Sequence, residues 1–246
     1  MRLDLYLVQY FHLKSRSQAT DLITRGLVLV NHKVAKKAGQ EVSELDFIEI
    51  THESQFVSRS GEKLLQAILD FKIDFKDKIC LDIGSSTGGF TDCALKHGAK
   101  EVYAYDVGKD QMDLSLRNHP KIHLFEETNI LDVKIPHVDV IMIDVSFTSI
   151  KPILEHLNGF TGEMICLIKP QYEAGNIHFK QGVLKDLKKH KEILLDILSY
   201  TRSLGFSIAG LIKSNLLGKT GNQEYILYVK SIKNIQDIKS MVGDVL

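Results

Sequence analysis

Seven short apolar runs recur between residues 79 and 229: Ile79–Ile83, Glu101–Tyr105, Ile122–Phe125, Val138–Ile143, Met164–Ile168, Phe206–Ile212 and Glu224–Val229. Helical stretches separate most of them, among them one with the apolar stripe Leu64, Leu65, Ile68 and Leu69 and one carrying Ile193, Leu194 and Leu195. Strands that alternate with helices over such a length require a mostly parallel sheet covered on both faces. A sheet of this kind binds its ligand outside the carboxyl ends of its strands, where the strand order switches. The chemistry is therefore expected at the residues that follow each run.

The first run ends in LDIGSSTGGF, Leu81 to Phe90, an acidic residue followed by a glycine turn. The dinucleotide fingerprint needs a second glycine where Ser86 stands, and no Gly-Lys-Ser/Thr follows at P-loop spacing, so both common phosphate turns are disfavoured. Asp106 ends the next strand, near the spacing at which a carboxylate holds ribose hydroxyls. Asp82 beside the turn would repel a pyrophosphate and suits an ammonium or sulfonium ligand. The pattern favours S-adenosylmethionine over NAD, with a tight turn that binds nothing as the plain alternative. Two more charges end apolar strands, Asp144 after Ile143 and Lys169 after Ile168. Charges are seldom placed there without partners.

The first fifty residues read differently. Leu3, Leu7 and Tyr10, then Ala19, Leu22 and Ile23, have helical spacing, the second segment beginning at Ser15 or Ser17 and ending at Gly26. Leu27–Val30 and Phe47–Ile50 read as short strands. The chain as a whole is neutral, with 31 basic and 31 acidic side chains. Their distribution is uneven: Arg2, Lys14, Arg16, Arg25, Lys33, Lys36 and Lys37 face only Asp4 and Asp21 before residue 40, and a cluster of that kind suits a polyanion. Cys80, Cys93 and Cys166 are too far apart for a metal or redox motif and suggest buried reduced thiols. No histidine spacing suits zinc, so no metal is expected. Neither a signal peptide nor an apolar span is evident, and a cytoplasmic protein is expected.

Beyond these readings, the first module resembles the S4 RNA-binding fold through RLDxxL (2–7), SRxxAxxLIxxGxVxVN (15–31) and DxIEI (46–50). Nearly the whole chain resembles the TlyA family, named either as hemolysins or as ribosomal RNA 2′-O-methyltransferases, whose catalytic part is similar to FtsJ/RrmJ-type enzymes. The carrying stretches are SRSGEKL (58–64), LDIGSSTGGFTDCAL (81–95), ETN (127–129), DVSF (144–147), LIKPQYEAG (167–175), GVLKD (182–186) and GNQEY (221–225). Ser60 stands at a usual glycine position and Leu131 where an arginine is common.

The resemblance implies an S4-like domain over 1–55, a linker over 56–62 and a Rossmann-like methyltransferase domain over 63–246. It implies a catalytic Lys63, Asp144, Lys169 and Glu224, with Lys169 as the general base and the two acids orienting the lysines and the ribose. A lysine acts as base only when neutral, which desolvation or a neighbouring ammonium favours. Lys63 is expected near the attacked oxygen. Asp82, Gly84, Ser85, Ser86, Thr87, Gly88, Gly89, Phe90, Asp106, Asn129 and Asp144 would hold S-adenosylmethionine. Arg2, Arg16, Arg25, Lys33, Lys36, Lys37 and Arg59 would meet RNA. The expected reaction is methylation of a cytidine ribose in ribosomal RNA, of the large subunit and also the small in one variant of the reading, by a monomer bound to ribosomal subunits. A membrane-lytic protein and an inactive ribosome-binding module are the alternatives. Three smaller expectations complete the picture: Tyr172–Gly175 as a mobile loop over the target, Gly218-Lys219-Thr220 as a flexible basic loop, and Lys188-Lys189-His190-Lys191 as a wet helix face.

Overall fold

A computed structural model describes residues 1–13, 15–24, 26–50, 55–175, 182–230 and 237–246. Arg25 lies outside the described residues. The chain divides into two units, Met1–Ser54 and Gln55–Leu246.

In the first unit, α1 (Leu3–Tyr10) and α2 (Arg16–Thr24) precede β1 (Val28–Val30), β2 (Lys33–Val34) and β3 (Ile48–Ile50). The strands form an antiparallel sheet in the order β2-β1-β3. Ser15 Oγ accepts from Gln18 N at 3.2 Å at the start of α2, and Gly26 takes φ 73° just past its end, the left-handed position at which glycine costs least. Leu3, Leu7, Ala19, Leu22, Ile23, Val28 and Val30 meet in one core.

The second unit begins with α3 (Ser60–Phe71). The expected linker over 56–62 is part of this unit: Phe56 is buried in its core, and Ser60 to Glu62 form the first turn of α3. Alternation follows, through β4 (Ile79–Ile83), α4 (Gly89–Lys96), β5 (Glu101–Tyr105), α5 (Leu114–Arg117), β6 (Ile122–Phe125), β7 (Val140–Ile143), α6 (Lys151–His156), β8 (Glu163–Ile168), α7 (Pro170–Glu173), α8 (Leu187–Ser203), β9 (Ser207–Lys213), β10 (Tyr225–Lys230) and α9 (Ile238–Asp244). The sheet runs β6-β5-β4-β7-β8-β10-β9, parallel from β6 to β8, with β10 antiparallel to both its neighbours.

Both faces are buried, and the period of two is visible along each strand. Leu81, Ile83, Ile141, Ile143, Cys166 and Ile168 pack with α6, α8 and α9 residues such as Leu154, Leu194, Leu198 and Val242. Cys80, Val140, Met142, Ile165 and Leu167 pack with Leu64, Ala67, Cys93 and Ala94 of α3 and α4. Leu69, expected on the buried stripe of α3, is 66% exposed; Lys63 takes a place on the buried side instead. The three cysteines are free and buried, and burial pushes the Cys80 and Cys166 thiols up to about 12. His190, expected on a wet face, is buried. Its Nε2 lies 3.0 Å from Leu184 O, which can only accept, so Nδ1 accepts from the Tyr225 hydroxyl at 2.8 Å.

Candidate active site

Chain order and strand order part company between β4 and β7: β5 and β6 lie to one side of β4, β7 and β8 to the other. The turn after β4 opens at this switch. Gly84 has φ 81°, and a Cβ there would lie 2.8 Å from the Asp144 carbonyl oxygen, so the close approach of the β4 and β7 ends requires glycine. Gly88, with φ 88°, occupies the N-cap of α4, and a Cβ on it would strike Met112 Sδ at 2.5 Å. Gly89 is pressed against Ser58 and Ser60, whose hydroxyls are hydrogen-bonded to each other at 2.9 Å. Ser60 thus joins the start of α3 to the start of α4.

Three carboxylates gather around this turn. Asp82 is fully buried, its Oδ2 accepting from Thr91 N at 3.0 Å and Thr91 Oγ1 at 2.6 Å. Burial pushes its carboxyl up to about 7; the Thr91 bonds oppose this, and the charges of Asp144 and Asp106 add to it. Asp106 accepts from Ser86 N at 2.8 Å and Gly108 N at 2.7 Å, so it shapes the turn with both oxygens. Asp144 follows β7. Among the described residues, four buried side-chain oxygens accept no hydrogen bond, Asp82 Oδ1, Ser85 Oγ, Asp144 Oδ1 and Gln171 Oε1, and of these only Asp144 Oδ1 has a charged partner, Lys169. All four stand at the carboxyl ends of β4, β7 and β8. A concentration of unsatisfied acceptors and mutually repelling carboxylates suits a cationic ligand rich in donors.

The other residues expected at the cofactor have varied surroundings. Phe90 is 2% exposed in the core cluster beneath α4, since the helix turns it onto the sheet. Asn129 caps the short helical turn Ile130–Asp132, its Oδ1 accepting from Leu131 N at 3.1 Å. Ser86 and Thr87 are exposed on the turn. Glu126, which carried no expectation, accepts from Asp110 N, Gln111 N and Met112 N at 3.0, 2.8 and 3.3 Å and pairs with Arg117. Burial alone would raise its carboxyl, but the Arg117 bond and the three backbone N–H groups hold it down to about 2. It orders the loop next to the turn, and Gln111 of that loop accepts from Ser86 Oγ at 3.1 Å.

Beside the acidic turn stand two lysine–carboxylate pairs. Lys169 Nζ lies 2.5 Å from Asp144 Oδ1 as an ion pair and donates to Ser146 Oγ at 2.9 Å. Lys63, from α3, reaches Glu224 Oε2 at 2.5 Å, both side chains buried. Tyr225 of β10 pairs with Ile168 of β8, so the next position outward sets Glu224 across from Lys169. The sheet therefore brings the four expected residues to one rim, each lysine facing its own carboxylate.

The segments beside the pairs are tied by hydrogen bonds and close packing. Pro170–Glu173 forms the helical turn α7, where a mobile loop was anticipated. Glu173 accepts from Ser149 Oγ at 2.5 Å and Ile150 N at 2.9 Å. Gly218 packs against Glu224, where an added Cβ would lie 2.5 Å from Oε1, which ties the basic turn Gly218-Lys219-Thr220 to the site. Phe147 was missed by sequence reasoning. It is 89% exposed, takes φ 65°, and meets the Tyr172 ring at 5.2 Å. A bulky residue held at positive φ with its ring in solvent is a departure that needs a cause. An aromatic three residues after an acid at a strand end was the available signal.

In the first unit, Arg2 and Arg16 meet on Asp4, and Lys33, Lys36 and Lys37 are exposed. Arg59 precedes α3 in the second unit, half-buried. Among the described residues no helix is long and apolar enough to cross a membrane, and no group of three His, Cys, Asp or Glu side chains is placed to hold a metal.

The chain is similar to known proteins over most of its length. Residues 56–231 match the FtsJ-like methyltransferases, and residues 1–48 match the S4 domain. A Brachyspira hyodysenteriae protein named Hemolysin A is 42% identical over 242 residues, which cover 93% of this chain and 99% of that protein. The Campylobacter jejuni 23S rRNA (cytidine-2′-O)-methyltransferase TlyA is 35% identical over 256 residues, 95% of this chain and all of that one. A solved structure from Streptococcus thermophilus that also carries the hemolysin name is 31% identical, with a TM-score of 0.76 and coverage of 99% and 94% of the two chains. The chain belongs to the FtsJ-like methyltransferases that carry an N-terminal S4 domain, the family of the TlyA proteins.

Proposed function

We propose that this protein methylates the 2′-hydroxyl of a cytidine ribose in large-subunit ribosomal RNA, using S-adenosylmethionine. One observation carries the reading: an acidic turn with unpartnered oxygens and two lysine–carboxylate pairs share one rim of the sheet. The donor chemistry fits, because S-adenosylmethionine brings an ammonium, ribose hydroxyls and a positive sulfur to a place where three carboxylates repel one another. When bound, it supplies a methyl group on a cationic leaving group. Gly84, Ser85 and Gly88 hold the turn open to it, and Asp82, Asp106 and Asp144 set the negative potential that selects it over a dinucleotide.

A ribose hydroxyl is a weak nucleophile until its proton is removed. Once its own ammonium has given up a proton, Lys169 takes that of the ribose at Nζ. Asp144 and Ser146 aim the amine. Lys63, fixed by Glu224, donates to the ribose and holds it beside Lys169. Phe147 offers an exposed ring on which the target base stacks once it leaves its helix, a stacking contact that single nucleotides commonly make. The S4 unit contributes cations for the phosphates around the target. On this reading the protein works as a single chain in the cytoplasm, where its substrate is.

Lys169→Ala should abolish methyl incorporation into isolated large subunits while calorimetry still detects S-adenosylmethionine binding. Full activity of that variant would remove Lys169 from the role of base. Incubating large and small subunits separately with labelled cofactor, then mapping the methylated ribose, decides the substrate.

A further inference from the structure

Asp4 is an acid where an apolar side chain is expected: 2% exposed, between Leu3 and Leu7 of the small core. Both its oxygens are engaged by cations. Arg2 donates Nε to Oδ1 and Nη2 to Oδ2, each at 3.0 Å, a two-pronged pairing. Arg16, from the first turn of α2, donates Nε and Nη2 to Oδ2 at 3.2 and 2.9 Å. Leu5 N completes the shell at 3.0 Å from Oδ1. The Arg2 bonds, with those of Arg16, hold the carboxyl well below the usual carboxylate range.

The two guanidiniums are consequently locked together. Their Nη2 atoms lie 3.0 and 2.9 Å from the same oxygen, so they are separated by no more than about 6 Å. Without the carboxylate, two cations that close repel. Each guanidinium has five N–H donors, and each uses two on Asp4, so three remain on side chains that are 47% and 57% exposed. Other charges near Arg2 are those of Glu41 and the N-terminal amine, which lie 3.8 Å from each other.

We propose that Asp4 is a positioning residue which makes Arg2 and Arg16 into one rigid clamp for RNA backbone phosphate, an inference that rests on the RNA-binding reading of this unit. A fork already oriented loses less freedom when it closes on phosphate, and two forks on one acceptor present a fixed donor pattern that loose surface arginines lack. The carboxylate thereby improves anion binding although its own charge opposes it.

That opposition makes the test sharp. Affinity of the full-length protein for deproteinised ribosomal RNA is measured by filter binding over a series of KCl concentrations. Asp4→Asn removes a negative charge from the face, so charge counting predicts tighter binding, whereas positioning predicts binding weaker by about tenfold. Arg16→Lys keeps the charge but loses the fork. It should weaken binding about fivefold at every salt concentration and leave the slope of log affinity against log salt unchanged. Hydrogen exchange over residues 3–13 and 16–24 reports whether the two helices stay folded. Should Asp4→Asn lose that protection, Arg16→Lys decides alone. Equal or tighter binding by a folded Asp4→Asn protein overturns the proposal, as does wild-type affinity in Arg16→Lys. If the double Arg2→Ala, Arg16→Ala protein binds like wild type, the face is not an RNA site and the clamp falls with that reading.

Discussion

Asp82 provides the strongest quantitative prediction. Its carboxyl stands at about 7 in the folded protein against 3.8 for the free side chain, chiefly through burial and then through the charges of Asp144 and Asp106. A carboxyl with a higher pKa folded than unfolded binds more protons in the folded state. It therefore contributes stability that is fully present below about pH 4 and is lost as pH rises through about 7. At ~1.4 kcal/mol per tenfold change in proton affinity, the ceiling is about 4 kcal/mol. Asp82→Asn keeps an acceptor for Thr91 and places a neutral amide where Oδ1 stands, mimicking the protonated acid. Urea unfolding of the two ligand-free proteins from pH 4.5 to 8.5 measures the effect, and their difference cancels the other titrating groups. The variant's advantage over wild type should grow by about 3 kcal/mol between pH 4.5 and pH 8.5. A difference that stays constant across this range, or that shrinks with rising pH, refutes the assignment. Binding offers a second reading of the same group: a cation near the three carboxylates favours ionised Asp82, so S-adenosylmethionine should release a proton on binding near neutral pH. Calorimetry in buffers of different ionisation enthalpy detects that proton, and Asp82→Asn should not release it.

Glu224→Ala leaves the buried Lys63 ammonium without its counter-charge, and should lower the unfolding free energy by about 3–5 kcal/mol. The double change Lys63→Met, Glu224→Leu should recover most of that stability and none of the methyl transfer. Phe147→Ala removes a ring that is 89% exposed, so the melting temperature should hold, while KM for the RNA should rise by the equivalent of about 1–3 kcal/mol of lost stacking. Unchanged KM would dismiss the ring as a base platform. Glu126→Gln weakens the anchor of three backbone N–H groups and Arg117, and should loosen S-adenosylmethionine binding about tenfold by calorimetry with Lys63, Asp144, Lys169 and Glu224 unchanged.

The elements around the site were legible where burial on both faces leaves uninterrupted apolar runs. Ile79–Ile83, Glu101–Tyr105 and Ile122–Phe125 form strands with those very bounds. Glycines 84 and 88 were legible as a turn because no other residue tolerates their conformations and clearances. His190 was misread through its lysine neighbours, yet the helical period already carried the answer: 190, 194, 197 and 201 lie on one face, and all four are buried. The pairing of charges was less accessible. That Lys63 meets Glu224 while Lys169 meets Asp144 follows from β10 entering the sheet antiparallel between β8 and β9, a fact of strand order that no local pattern encodes. Glu126 was invisible for a related reason, since its partners are backbone N–H groups of a loop fourteen to sixteen positions away.

Under the proposed function, strand order lets one rim serve two ligands of opposite charge. Reading across the sheet, Asp106 follows β5, Asp82 lies in β4, Asp144 follows β7, Lys169 follows β8 and Glu224 precedes β10 with Lys63 attached. The side toward β5 is acidic and incompletely satisfied. The side toward β10 carries two lysines, each matched by an acid, so those charges can be shielded from water without leaving a net charge buried. A cationic methyl donor is favoured on the first side, and the phosphates around a ribose are tolerated on the second. Asp144 belongs to both: its charge helps push Asp82 upward, and its Oδ1 holds Lys169. Because β4 and β7 are neighbours at the switch in strand order, the proposed function gives Asp144 two tasks, to face the donor and to aim Lys169.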